Sequence, residues 1–138
     1  MSEPSRRPVD TPREWLRYAQ ESLDVAGREM QAEMPAFHTV CFLCQSAAEK
    51  YLKGFLISRG WPLEKTHDIV KLLELGSTHD PELDSLLADG DVLNQYIVGG
   101  RYPGDIAFED IGRAEANEAL QAARRIRERV LELTGRAA

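Results

Sequence analysis

The chain has 138 residues, and its 23 acidic and 17 basic residues give it a formal net charge of −6. This length suits a single domain, and 43% hydrophobic with 29% charged residues is an ordinary globular composition, which excludes general disorder. Residues 74–91 hold six of the acidic residues and no Lys or Arg, so the charges elsewhere balance, which excludes a protein that coats duplex nucleic acid but leaves room for a local basic site.

The first ten residues are polar, and no apolar run follows them that would make a signal peptide. Nowhere does the sequence contain the roughly 20 mostly apolar residues that cross a bilayer. We therefore expect residues 1–10 to be a flexible tail and residues 11–135 to be one domain. We also expect a cytoplasmic protein with reduced cysteines and no membrane contact.

The first two helices are indicated by caps and by apolar spacing. Thr11 can cap a helix whose first residue is Pro12, and apolar residues then recur on one helical face as far as Met30. Pro35 opens a second and more apolar helix, which Gly60 ends. The broad apolar stripe of this second helix predicts a central element that is packed on several sides.

Three further helices follow in the remaining chain. A short helix is predicted to start near Thr66 and to end before Gly76, and the next follows the capping residue Asp80 and ends at Gly99. Asp110 can cap the last helix. Because no stretch alternates with period two, the sequence predicts an all-α fold, a four-helix up-and-down bundle with one additional short helix.

Two glycines fall inside predicted helices. At Gly27 and Gly54 the missing side chain costs about 1 kcal/mol relative to alanine. We expect close helix crossings at these two positions, because such a crossing has no room for a side chain.

A possible metal site is formed by His38, Cys41 and Cys44, which would share one helical face. A structural zinc site needs four ligands, and the sequence has no second cysteine pair. Because both cysteines also fall on the apolar stripe, we expect them to pack in the core as small hydrophobic residues.

Gln45, Glu49 and Lys53 follow one another at intervals of four residues on the second helix. Glu49 and Lys53 have the favourable order for a helical ion pair. Spacing alone favours a solvated face for these residues. The alternative is a polar strip that faces a cleft.

A Lys, a hydroxyl and a His gather at Lys65, Thr66 and His67, where the third helix is predicted to begin. Free backbone N–H groups at a helix start favour anions such as phosphate. His67 can also titrate near neutral pH. The alternative is that Thr66 simply caps the helix and that Asp68 complements the helix dipole.

A turn rich in Gly and Pro at residues 99–104 presents Arg101 and Tyr102. Arginine can bind phosphate with two parallel hydrogen bonds, and tyrosine can stack on a base. The alternative is an ordinary connection between helices, with Tyr102 packed against the bundle.

From Trp15 to Leu133 the sequence resembles the HEPN family, the helical domains named for nucleotide binding in higher eukaryotes and prokaryotes. The best-matching stretches are Gln45–Lys53 (QSAAEKYLK), Lys65–Ile69 (KTHDI) and Arg101–Pro103 (RYP). The resemblance implies a bundle of four or five helices, usually dimeric. It also implies frequent pairing with a small nucleotidyltransferase, sometimes as the toxin half of a toxin–antitoxin pair.

Many members of that family are metal-independent ribonucleases, whose signature is an Arg followed after four to six residues by a His. Here Ile106, Ala107 and Phe108 stand where that His would follow Arg101. A ribonuclease mechanism would therefore need His67 to move the 2′-hydroxyl proton.

The sequence thus predicts a domain that binds a nucleotide or single-stranded RNA, forms a homodimer and acts with a nucleotidyltransferase, without a cofactor or a metal. The alternatives are a ribonuclease that uses Arg101 with His67, and a structural dimerisation module. The expected ligand-binding residues are Glu49, Lys53, Lys65, Thr66, His67, Arg101 and Tyr102.

Overall fold

The computed structural model describes residues 11–97 and 106–136. Five α-helices run through them, and no strand occurs in these two segments. The predicted all-α fold is thus confirmed. The helices are α1 (Pro12–Met30), α2 (Phe37–Ser58), α3 (Ile69–Ser77), α4 (Leu87–Asn94) and α5 (Arg113–Arg136).

Helix α2 is the centre of the bundle. It packs against α1 on one side and α5 on the other, and α3 covers a third side. Thirteen of its 22 residues are buried, which agrees with the broad apolar stripe in its sequence. The side-chain oxygen of Thr11 accepts a hydrogen bond from the Glu14 N–H at the start of α1, and Gly60 follows α2 with a φ of 89°. Both predicted helix ends are thus confirmed.

Two predicted helix starts are wrong. The third helix begins at Ile69 rather than near Thr66, because the Asp68 carboxylate accepts the N–H of Lys71 and so makes Asp68 the cap. Asp110 lies in a short 3-10 helix, Phe108–Asp110, and does not cap α5. At the start of α5 the Glu115 carboxylate instead accepts the Gly112 N–H at 2.8 Å.

The fourth predicted helix is partly a 3-10 helix. Asp80 caps the 3-10 segment Pro81–Leu86, and α4 follows directly from it. The Asp89 carboxylate on α4 accepts hydrogen bonds from Nε and Nη2 of Arg125 on α5, the shortest at 2.7 Å. These bonds join the two helices and raise the pKa of Arg125.

Both cysteines lie in the core, as expected from the apolar stripe. Cys41 and Cys44 are free thiols and are fully buried on α2. Burial raises the pKa of Cys41 to about 11 and that of Cys44 to about 12. Both thiols therefore stay protonated near neutral pH and act as apolar packing groups.

The two helical glycines differ in the space around them. A Cβ added to Gly54 would lie 3.1 Å from Leu16 Cδ2 and 3.2 Å from Trp15 Cβ, so α1 crosses α2 closely at this point. A Cβ added to Gly27 would have an ordinary contact of 3.7 Å with Arg124 Nη2. The predicted close crossing exists at Gly54 and is absent at Gly27.

We expect Gly54→Ala to lower the free energy of unfolding by about 1–2 kcal/mol, because crowding against α1 outweighs the gain in helix propensity. Gly27→Ala is the matched control and should raise the free energy of unfolding by up to about 1 kcal/mol, since it gains propensity without crowding. Urea unfolding measures both values. Equal changes in the two variants would contradict the crowding argument.

Candidate functional site

The candidate site lies where the loop between α2 and α3 returns to the middle of α2. His67, in this loop, places its Nδ1 atom 2.8 Å from Oε1 of Glu49. The other carboxylate oxygen, Oε2, accepts a hydrogen bond of 2.8 Å from the Lys53 ammonium. Gln45 donates its side-chain N–H to the backbone carbonyl of His67 at 3.0 Å. The loop is therefore held to α2 through a side chain and through the backbone.

The polar strip on α2 is buried, so the solvated face favoured by spacing is wrong. Gln45, Glu49 and Lys53 are 3%, 8% and 4% exposed. The loop between α2 and α3 covers the N-terminal part of the strip, at Gln45. At the other end, the Lys53 ammonium lies 5.7 Å from the centroid of the Trp15 ring on α1. Neighbouring elements thus cover a set of residues that helical spacing by itself would leave in water.

The Glu49 carboxylate is ionised in this setting. Burial alone would raise its pKa, but hydrogen bonds from Lys53 and His67 and the charges of both groups outweigh it and hold the pKa of Glu49 below its ordinary value. An ionised carboxylate only accepts hydrogen bonds. The proton in the hydrogen bond between Glu49 and His67 therefore belongs to Nδ1 of His67.

This contact orients the imidazole of His67. With Nδ1 bound to Glu49, the neutral ring presents Nε2 as an acceptor, and the protonated ring presents it as a donor. The His67 side chain is 57% exposed. Within the described segments, Nδ1 has the Glu49 partner and no residue forms a hydrogen bond with Nε2.

A cleft of about 370 Å³ opens beside the imidazole. It is lined by Lys65, Thr66, His67, Asp68, Asn94 and Ile97. Asn94, at the end of α4, accepts the Ile69 N–H through Oδ1 and donates to the Asp68 carboxylate, both at 2.8 Å. Two of the first N–H groups of α3, those of Ile69 and Lys71, are thus already bonded within the protein. An anion in the cleft would be held by side chains rather than by these two groups.

The structure brings together five of the seven expected ligand-binding residues, in two layers. Lys65, Thr66 and His67 line the cleft, while Glu49 and Lys53 lie behind His67 and do not line it. Arg101 and Tyr102 lie outside the described residues.

Sequence reasoning misses the role of two amides. It places Gln45 on the polar strip but does not predict its bond to the His67 carbonyl. The four-residue spacing of Gln45 from Glu49 is the one signal that associates Gln45 with the site. Asn94 joins α4 to the start of α3, and no sequence pattern indicates this contact, because its partners are 25 and 26 residues away.

The His38 imidazole has an aromatic neighbour. Its ring centroid is 5.5 Å from that of Phe108, one of the positions where the ribonuclease signature would place its His. Within the described segments no group of three or more His, Cys, Asp and Glu side chains could hold a metal ion. In the cleft itself, the polar groups are the His67 imidazole, the Lys65 ammonium, the Thr66 hydroxyl, the Asp68 carboxylate and the Asn94 amide.

The pKa of Glu49 makes a prediction for stability in acid. Because that pKa is lower in the folded protein than the ordinary 4.5, the unfolded chain binds more protons between the two values, and the contribution of Glu49 is lost as pH falls through the folded pKa. As pH falls from about 5.5 through the ordinary value of 4.5 and below it, the stability of the wild type minus that of Glu49→Gln should therefore decrease.

The measurement is urea unfolding of both proteins across this pH range. Glu74→Gln is the control, because Glu74 is exposed on α3. A stability difference for Glu49→Gln that does not change with pH would contradict the buried, ionised carboxylate.

Comparisons with known proteins agree with this architecture. The family model of the HEPN domain matches residues 12–133. The crystal structure of ST0689, an archaeal HEPN homologue, is 25% identical and superposes with a TM-score of 0.73, over 91% of this chain and 98% of that chain. The crystal structure of TT1696 from Thermus thermophilus is 30% identical, with a TM-score of 0.72 over 90% of this chain and 98% of that chain. No curated protein sequence matches. Because the family model covers most of the sequence, the chain belongs to the HEPN domain family.

Proposed function

We propose that this HEPN domain binds a phosphate-bearing ligand, a nucleotide or single-stranded RNA, in the cleft beside His67. The observation that carries the proposal is the Glu49–His67 contact of 2.8 Å, which fixes an exposed imidazole at the edge of that cleft. A fixed polar group loses less entropy on binding than a freely rotating one.

Three side chains supply the contacts to the ligand. Lys65 provides a full positive charge, Thr66 a hydroxyl donor, and His67 an N–H when it is protonated. Lys53 acts indirectly, because its ammonium is buried against Glu49 and keeps the carboxylate ionised. Arg101 and Tyr102 complete the proposed set, as a phosphate clamp and a stacking surface.

The second candidate function is a metal-independent ribonuclease, and the same pair of residues supports it. A carboxylate that holds Nδ1–H leaves Nε2 basic, which is the arrangement of a general base. In this mechanism Nε2 of His67 takes the proton of the 2′-hydroxyl, and Arg101 stabilises the charge that develops on the phosphate.

We expect His67→Ala to weaken binding of ATP or a short single-stranded RNA by about 1.5–3 kcal/mol, the range for a hydrogen bond to a charged group. Arg101→Ala should weaken binding by a similar amount. Titration calorimetry measures these values.

His79→Ala is the matched control, because His79 is exposed in the turn that follows α3. Equal losses in His79→Ala and His67→Ala would contradict the site. A cleavage assay in the presence of EDTA separates the two functions: a ribonuclease loses cleavage but retains RNA binding in His67→Ala. No binding of either ligand by the wild type would leave the structural module as the function.

The chain is also proposed to form a homodimer through an apolar patch made of His38, Phe42 and Phe108. Phe42 lies one turn after His38 on α2, and the Phe108 ring contacts the His38 ring. Phe42 is 42% exposed and Phe108 is 70% exposed. Exposed aromatic residues that lie together are typical of interfaces.

Phe42→Glu should convert the dimer to a monomer, because a buried, unpaired carboxylate opposes association. Sedimentation velocity at micromolar concentration measures the state of assembly. Leu63→Glu is the control, since Leu63 is similarly open to solvent but lies in the loop before α3. A wild-type monomer would overturn the dimer proposal.

The proposed partner is a nucleotidyltransferase, with this chain as the toxin half of a toxin–antitoxin pair. The proposal is supported by membership of the HEPN family, because the resemblance to this family implies such pairing. Expression of the chain alone should then slow growth of its host, and co-expression with a nucleotidyltransferase encoded beside it should restore growth.

A further inference from the structure

A groove runs between α1 and α5 and shares no lining residue with the His67 cleft. Both helices pack on α2 and make few contacts with each other, so α2 forms the floor between them. The central part of the groove encloses about 610 Å³. Leu16, Leu23, Tyr51 and Leu131 line its apolar part.

The walls of this groove are rich in arginine. Five arginines line it, against three acidic residues, whereas the whole chain carries a net charge of −6. The arginines are Arg13, Arg17, Arg28, Arg124 and Arg127, and the acidic residues are Glu21, Asp24 and Glu128. The groove is therefore positive in an otherwise acidic protein, and no lysine contributes to it.

One arginine belongs to a fixed network at the middle of the groove. Gln20 Oε1 accepts hydrogen bonds from Nε of Arg127 at 2.7 Å and from the Tyr51 hydroxyl at 2.6 Å. The Gln20 amide in turn donates to Asp24 at 2.8 Å, so this carboxylate is partly satisfied within the protein. The network holds the two walls at a set separation.

The other four guanidinium groups are available. Arg13, Arg17, Arg28 and Arg124 are exposed, and none forms a hydrogen bond or an ion pair with any residue in the segments that the structure describes. Among the described residues, each therefore keeps its donors free for a ligand in the groove.

We propose that the α1–α5 groove binds the sugar–phosphate backbone of a single-stranded nucleic acid. Arginine suits phosphate, because its planar fork donates two parallel hydrogen bonds. Tyr18, which is 52% exposed, lies beside Arg17 in an adjoining pocket that Glu14 and Glu21 also line. Its ring provides a surface at the edge of the groove on which a base can stack. The 19 residues of α1 extend for about 28 Å, which is long enough for several nucleotides.

The groove is a different site from the His67 cleft, because the groove and the cleft differ in size and in lining residues. The proposal therefore goes beyond the function proposed for the cleft. The cleft can accept one nucleotide, whereas a row of guanidinium groups along a helix matches a repeating phosphate chain. An acidic peptide would also be attracted by the arginines, but it has no base to stack on Tyr18. Competition between poly-glutamate and RNA tests whether an acidic peptide occupies the groove instead.

The test uses the full chain and a fluorescent single-stranded RNA of about ten nucleotides. In Arg28→Gln/Arg124→Gln, binding should weaken about tenfold or more at low salt. The slope of log K against log salt concentration should fall by about 1.4, which corresponds to two lost phosphate contacts. Circular dichroism should be unchanged, because both side chains are exposed.

Lys71→Gln/Arg113→Gln removes the same charge from exposed positions outside the groove, and it should change binding by no more than about twofold. Tyr18→Ala should weaken RNA binding and leave the salt slope unchanged, because stacking releases no counterions. Equal losses in the two double variants would overturn the groove site, as would effective displacement of RNA by poly-glutamate.

The two sites can fail separately. ATP is proposed to bind in the His67 cleft, so Arg28→Gln/Arg124→Gln should bind ATP like the wild type. His67→Ala should keep the salt-dependent part of RNA binding. Loss of ATP binding only in the groove variant would overturn the separation of the sites. Absence of RNA binding by the wild type would overturn the groove proposal, whatever the result with ATP.

Discussion

The buried carboxylate of Glu49 is the constraint on which the candidate site depends. A charge in the interior of a helical bundle is tolerated only when it is paired and fully hydrogen-bonded. Lys53 supplies the charge and His67 a second donor, each at 2.8 Å. Because His67 belongs to a loop, satisfying Glu49 also draws that loop onto α2, and Gln45 completes the attachment through the backbone carbonyl. The same contacts place an oriented imidazole at the mouth of a cleft.

Uneven charge organises the rest of the molecule. Part of the acidic segment 74–91 is neutralised within the fold, since Asp89 binds Arg125 and Glu82 binds Arg129 on α5. These two arginines face α4 and the 3-10 helix before it. Other arginines of α5 line the groove against α1. The arginines of α5 thus fall into two groups. One group forms ion pairs within the bundle, and the other lines the groove proposed as a ligand site.

Membership of the HEPN family establishes the fold but does not by itself give the chemistry, because one fold can carry different sites. The chain lacks a His at positions 106–108, where the ribonuclease signature would have one. It has instead a histidine that a carboxylate holds in the loop just before α3. Binding and cleavage are both compatible with that imidazole, and the alanine variants distinguish them.

The sequence by itself determined the helical class, the Thr11 cap, the end of α2 at Gly60 and the burial of the cysteines, because each depends on local propensity or apolar periodicity. It identified His67 and Glu49 as candidates but not their contact. Only the tertiary structure decided that Glu49 and Lys53 are buried, since the same spacing occurs on solvated helices and their cover comes from α1 and the loop before α3. The start of α3 depends on both sequence and tertiary structure, because the Asp68 cap is a local contact with the Lys71 N–H, whereas Asn94, from a distant helix, also bonds the Ile69 N–H and the Asp68 carboxylate.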